Sequence, residues 1–337
     1  MVKIKLYKIK NCRHFYLNVG KKRIYVEESG CLSGIPILSL HGGPGAAMGK
    51  GYQKLWDPDK FRIITFHQRG CGLSTPKGSL VKNKTKYLLQ DIEKIRKILG
   101  IKKWIVEGGS WGAVLAVIYS IKYTSKVSGL IIAGFSMMDV PEIEEAGKAC
   151  VPDVYDKWKT KSTDKATMKD YLKKLQSKNH NIRNKYTKMW NFEDELFKIM
   201  DFENYSKKKT KFKMNPKDSN VLALFECYYY QNCGFMPKNF IAKNAHKLNK
   251  IPGFIIHGRF DLICSPENSY RISKKWTRAK LIIVPMAGHS YGNINNTKEL
   301  IKAGNSFKKL FSKCNSFYKK KYKCKINYHK GCYSRKS

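Results

Sequence analysis

Gly108-Gly109-Ser110-Trp111-Gly112 stands between an apolar run, Trp104 to Val106, and a helix-forming run, Ala113 to Tyr119. That placement puts a serine on a tight strand-to-helix turn. The glycines let neighbouring chains approach closely and tolerate the strained backbone that pushes a hydroxyl out beyond the sheet edge. A bare G-x-S-x-G arises by chance in many chains. The strand before this one and the helix after it make it the motif of a nucleophilic serine.

Working outward from the turn, short apolar strands alternate with helical stretches over the first 140 residues. The strands read as Arg23 to Val26, Ile37 to Leu40, Arg62 to Phe66, Trp104 to Val106 and Gly129 to Ala133, with a helix over Tyr87 to Leu99. Such alternation predicts a mostly parallel sheet with helices on both faces. From Pro141 to His246 strand signals vanish and helical periodicity takes over; strands return at Gly253 to Ile256 and Leu281 to Val284. The expected organisation is an α/β core over residues 1–140 and 247–310, interrupted by a helical lid over 141–246. A basic, cysteine-containing tail, 311–337, follows.

The 66 Lys and Arg against 25 Asp and Glu give a formal charge of +41. The lysines are spread along the chain and mixed with asparagine, which predicts loose adhesion to polyanions at low salt rather than a specific nucleic-acid partner. No apolar run approaches the roughly 18 residues of a membrane span. The opening MVKIKLYKIK alternates Lys with apolar residues, reads as an amphipathic strand, and lacks the apolar core of a signal peptide. The ten cysteines form no C-x-x-C pair and are expected as reduced thiols in a cytoplasmic protein. Cys314, Cys324, His329 and Cys332 are residue types that zinc accepts, but their spacing matches no finger, and neither metal nor cofactor is expected.

A serine hydroxyl needs a histidine to take its proton and a carboxylate to orient that histidine. In the order Ser, acid, His of α/β-hydrolase chains, the partners follow late strands. Phe254 to Ile256 leads into His257-Gly258-Arg259-Phe260-Asp261, and Leu281 to Val284 leads into Ala287-Gly288-His289-Ser290. After Asp261 the only other histidine is His329, in the tail, so the expected triad is Ser110, Asp261 and His289. Charge developing on the carbonyl oxygen calls for two N–H donors. Trp111 supplies one. The loop His41-Gly42-Gly43-Pro44-Gly45 supplies the second through Gly43, because Pro44 has no N–H to give.

HGGPG, then FHQRGCGLSTP (Phe66 to Pro76), GGSWG, HGRFDLIC (His257 to Cys264) and AGHS together resemble the proline iminopeptidases, serine aminopeptidases of the α/β-hydrolase fold. The likeness runs from about residue 20 to 292 and includes the lid, where Ala223 to Phe235 is similar to that family's IE-x-x-Y-F-x-N-x-G-F segment. The resemblance implies release of N-terminal proline from small peptides. It also implies that lid glutamates receive the substrate's free amine, with Glu226 at one such position and Glu193, in Trp190-Asn191-Phe192-Glu193, at the other. Carboxylates under a lid favour a charged terminal amine over a neutral internal amide. Cys264 matches a family cysteine near the site and reads as a packing residue.

Three positions depart from the family pattern. His67 replaces the acid of D-Q-R-G, Glu107 replaces an apolar residue before the serine turn, and Tyr291-Gly292-Asn293 stands where F-E-P is usual. His67 and Glu107 read as a compensating exchange of charge. The rival functions are an esterase or amidase using the same triad, and a non-catalytic scaffold that binds polyanions; oligomeric state is left open.

Overall fold

Alternation along the strands divides the interior into two layers, one on each face of a sheet. On Ile35–Leu40 (β3), Leu38 and Leu40 face one layer and Ile37 the other; on Trp104–Gly109 (β5), Trp104 and Val106 face the first and Ile105 the second. In this computed structural model residues 6–49, 51–138, 165–191, 216–312 and 328–330 are described. The remaining strands are β1 (Arg13–Val19), β2 (Lys22–Gly30), β4 (Phe61–Phe66), β6 (Val127–Ala133), β7 (Gly253–Gly258), β8 (Ala279–Val284) and β9 (His329–Lys330). They form one sheet in the order β8-β7-β6-β5-β3-β4-β2-β1-β9. The six strands from β8 to β4 run parallel, and β2, β1 and β9 add antiparallel pairs at one edge.

The helices follow the same logic. On α1 (Thr85–Ile98), Leu88, Leu89, Ile92 and Ile95 recur at helical spacing and are buried, and Arg96 and Lys97 close its last turn, where cations favour the helix end. The next, α2 (Trp111–Lys122), is buried almost all round because it lies between the sheet and other helices. Between β6 and β7 come α3 (Lys165–Leu175), α4 (His180–Trp190), α5 (Pro216–Gln231) and the short α6 (Phe240–Asn244). Tyr171 of α3 meets Trp190 of α4 edge-on at 5.6 Å. Then α7 (Pro266–Lys275) and α8 (Ile294–Ser312) flank the last strands. No helix among the described residues is long and apolar enough to cross a membrane.

Three expectations are corrected. Residues 6–10 of the opening segment are irregular, residues 1–5 lie outside the described residues, and the first described strand is Arg13–Val19; the Lys-apolar alternation has no described strand beside it to pair with. The tail reaches the sheet: Arg13 pairs with Lys330 and His14 with His329. Phe15 meets Tyr328 edge-on, and the Arg13 guanidinium lies 3.7 Å from the Tyr328 ring centroid. Cys12 is disulfide-bonded, whereas Cys31, Cys71, Cys227, Cys233 and Cys264 are free. The local spacing of the cysteines carries no sign of it.

Candidate active site

The carboxyl ends of β3, β5, β6, β7 and β8 all open on one edge of the sheet, where ligands of parallel α/β sheets are bound. The β5 turn carries Ser110 with φ 54° and ψ −127°, outside the ordinary regions for a residue with a side chain. Close packing holds it there. A β-carbon on Gly112 would overlap the Leu40 carbonyl, and one on Gly109 would overlap the Tyr291 ring. The Ser110 N–H donates to Ala133 O at 2.9 Å, tying the turn to the end of β6.

The β7 turn carries Asp261, fully buried. Its Oδ1 accepts the N–H groups of Ile263 and Cys264 at 3.0 and 2.9 Å, and its Oδ2 lies 2.7 Å from His289 Nδ1. Burial opposes its charge, but His289 and His257 outweigh that and hold its carboxyl well below the usual range. His289 is the converse case. Burial lowers its pKa, yet the Asp261 carboxylate, with the Cys264 thiol beside the ring, raises it well above the ordinary imidazole value. Its ring packs against Gly134, the residue after Ala133, so Ser110 and His289 converge on the end of β6.

Sequence reasoning missed His257, at the end of β7. Its Nδ1 meets Ser269 Oγ at 2.6 Å, and its Nε2 lies 2.7 Å from Cys264 O and 3.1 Å from Asp261 Oδ2. Both partners of Nε2 are acceptors, so that nitrogen carries the proton. The HGRFD motif contained the signal, since a histidine four residues before the acid is close enough to fold back onto it.

On the β3 side, Gly43 has φ 106°, which favours glycine, and among the described residues no acceptor takes its N–H. The loop is laced to the serine turn through side chains. His41 Nδ1 donates to Gly42 O and its Nε2 accepts the Gln68 N–H at 2.9 Å; Gln68 Nε2 donates to His41 O, and Gln68 Oε1 accepts Trp111 Nε1–H at 2.9 Å. Burial pushes His41 down to about 4, so it stays neutral in this role. Arg69 of the same motif forms a buried two-pronged pair with Asp91 at 2.5 and 2.7 Å.

Helix α5 lies over this loop. Leu222 packs against Gly43, and Tyr230 Oη donates to Gly43 O at 3.4 Å. Residues four apart share a helix face, so half-buried Glu226, midway between them, belongs to the face turned toward the loop. Its Oε2 accepts Trp190 Nε1–H at 2.9 Å. Glu193 lies outside the described residues. His67 and Glu107 have partners of their own: His67 Nδ1 accepts the Leu73 N–H, while Glu107 accepts from Tyr291. Among the described residues no group of three or more His, Cys, Asp or Glu is gathered to hold a metal.

The α/β-hydrolase fold family model matches residues 35–291. A proline iminopeptidase of Xylella fastidiosa is 33% identical over 299 residues, covering 85% of this chain and 93% of that protein. The chain belongs to the proline iminopeptidase family. An Arabidopsis thaliana proline iminopeptidase is likewise 33% identical, over 85% of this chain and 77% of its own length. Among solved structures, a proline iminopeptidase-related protein from Thermus thermophilus superposes with a TM-score of 0.55 at 19% identity, covering 90% of this chain and 98% of that one. An α/β fold family hydrolase from Bacillus anthracis gives 0.57 at 17% identity, covering 88% and 99%. At those identities the likeness shows the fold alone.

Proposed function

We propose that this chain is a serine aminopeptidase that releases N-terminal proline from small peptides through an acyl-enzyme. Ser110 Oγ attacks the prolyl carbonyl carbon while His289 Nε2 takes its proton; Asp261 holds the opposite ring N–H and steadies the imidazolium. The oxyanion of the tetrahedral intermediate is received by the N–H groups of Gly43 and Trp111. Collapse expels the shortened peptide's amine, protonated by His289. A water molecule, deprotonated by the same histidine, then releases proline and restores Ser110. None of these steps calls on a metal or cofactor.

The observation that carries the choice of an aminopeptidase is the α5 face. Leu222 and Tyr230 touch Gly43 of the oxyanion loop, and Glu226 stands between them. A carboxylate there meets the α-amine of a residue whose carbonyl lies at Ser110, and an internal peptide bond offers it no cation. We read residues 141–246 as the lid that encloses this end of the substrate. The protein is taken to act in the cytoplasm on small peptides that begin with proline.

Comparing hydrolysis of prolyl arylamide, N-acetyl-prolyl arylamide, alanyl arylamide and a simple aryl ester tests the reading. Rapid cleavage of the first with rejection of the second is expected. Equal rates on the free and acetylated forms would make the chain a general amidase, and cleavage of the ester alone an esterase. Ser110→Ala should abolish every activity, a loss of about 10⁶-fold for a nucleophile.

A further inference from the structure

Glu107 is a fully buried carboxyl three residues before Ser110 that the acyl-transfer steps do not use. Alternation along β5 points it, like Ile105, to the layer that holds Ile37, Trp56 and Ile131. No cation pairs with it among the described residues. Its Oε1 accepts the Tyr291 hydroxyl at 2.7 Å, and the Ser39 hydroxyl, itself an acceptor for Trp56 Nε1–H, faces it. Its Oε2 has no hydrogen-bond partner. An apolar residue would fill this place without the cost of burying a polar group, so the carboxyl is there for what it holds.

What it holds is the histidine loop. Tyr291 follows His289 by two residues, its ring packs on Gly109 next to Ser110, and Tyr52, from the segment after the oxyanion loop, lies against it at 5.4 Å. The loop's other ties run to the start of α8 and to the β7 turn: Asn296 Nδ2 donates to Gly288 O and Ser290 O, both at 3.0 Å, and Thr297 Oγ1 to Tyr291 O at 2.8 Å, while Ala287 O accepts the Phe260 N–H at 2.9 Å and His289 Nδ1 meets Asp261. None of those reaches β5. The Tyr291 hydroxyl does, across 184 residues of sequence.

We propose that Glu107 and Tyr291 are a positioning pair that fixes the His289 loop over the strand carrying Ser110; this rests on the triad reading above. The departures at these two positions are then one change, a carboxyl and a hydroxyl facing each other, in place of the exchange between His67 and Glu107.

The test uses the full chain and two readouts, hydrolysis of prolyl arylamide and the rate of Ser110 inactivation by a fluorophosphonate. The second reports the Ser110–His289 pair whatever acyl group the natural substrate carries. Tyr291→Phe and Glu107→Met should each lower kcat and the inactivation rate by roughly 10-fold, the loss of one buried hydrogen bond, with KM within about two-fold. Glu107→Gln keeps an acceptor oxygen and should recover most of that loss. The double variant Glu107→Met/Tyr291→Phe should be no slower than either single variant, because both remove one contact.

Wild-type inactivation rates in Tyr291→Phe, or losses that multiply in the double variant, would overturn the pair. So would a loss confined to KM. If Glu107→Met does not fold, Tyr291→Phe and Glu107→Gln, which keep the buried volume, decide the matter. A wild-type chain that reacts with the fluorophosphonate but ignores prolyl arylamide overturns the aminopeptidase reading and leaves the pair to be judged by inactivation rates. A wild-type chain inert to both overturns the two together.

Discussion

His257 Nε2 lies 3.1 Å from Asp261 Oδ2, so the oxygen that meets His289 has a second imidazole on its other side. With the N–H groups of Ile263 and Cys264 on Oδ1, the carboxylate is surrounded by donors and kept ionised. His257→Ala removes one of those donors, leaves Cys264 O without its donor and leaves the Ser269 hydroxyl without the Nδ1 that accepts it. Stability should fall by about 2–4 kcal/mol, from several buried groups losing partners, with a roughly 3- to 10-fold drop in kcat as Asp261 loosens. Denaturant unfolding and steady-state kinetics measure the two; unchanged stability would show that His257 does not hold the carboxylate.

The raised pKa of His289 sets the acid limb of activity. The imidazole must be neutral to accept the Ser110 proton, so kcat/KM on an aryl ester without an amine should rise with pH and level off, with a midpoint above the ordinary 6.5. On a free prolyl substrate activity should fall again once the substrate's own amine loses its proton. Asp261→Asn removes the charge that raises His289, so the acid limb should move down while kcat falls roughly 10⁴-fold. An unmoved limb would place its origin elsewhere.

Glu107 makes stability depend on pH in its own direction. Burial raises its pKa from 4.5 to about 7, so the native state binds a proton more tightly than the unfolded chain. Its contribution is therefore most favourable below about 4.5 and is lost as pH rises to about 7, by up to about 3 kcal/mol. Glu107→Gln should thus gain stability relative to wild type between pH 5 and pH 8 in chemical denaturation. A constant difference over that range would mean that the carboxyl keeps its ordinary titration.

Tyr328→Ala tests the tail's place at the sheet edge. It removes the edge-on contact with Phe15 and the stacking under Arg13, together worth about 1–2 kcal/mol. Thermal unfolding should shift down accordingly while kcat on prolyl arylamide stays within about two-fold, because this edge is separated from the serine turn by several strands. Loss of activity at unchanged stability would contradict that separation.

The site's backbone was legible because it is local. Ser110, Asp261 and His289 each sit one short turn beyond an apolar strand, and glycines mark the turns. Strand β1 was not, because only Phe15 of its seven residues is buried and an edge strand carries a weak alternation. The Lys-apolar pattern before it was stronger and misleading. Lysines in the tail likewise masked a pairing of two residues at His329 and Lys330. The partners of His257 and Glu107 are tertiary. His257 folds back on Asp261 only because β7 ends between them, and Glu107 meets a tyrosine 184 residues away. His67 has no mark in sequence of its bond to the Leu73 N–H, so a nearer charge was assigned to Glu107.

Selection of a free N-terminal proline by Glu226 above Ser110 is the central claim, and one ratio measures it. In Glu226→Gln the specificity constant for prolyl arylamide should drop roughly 10- to 150-fold, the worth of a buried charge-assisted hydrogen bond to the amine, while hydrolysis of an amine-free aryl ester stays near wild type. Equal losses on the two substrates, or no loss on either, would contradict it.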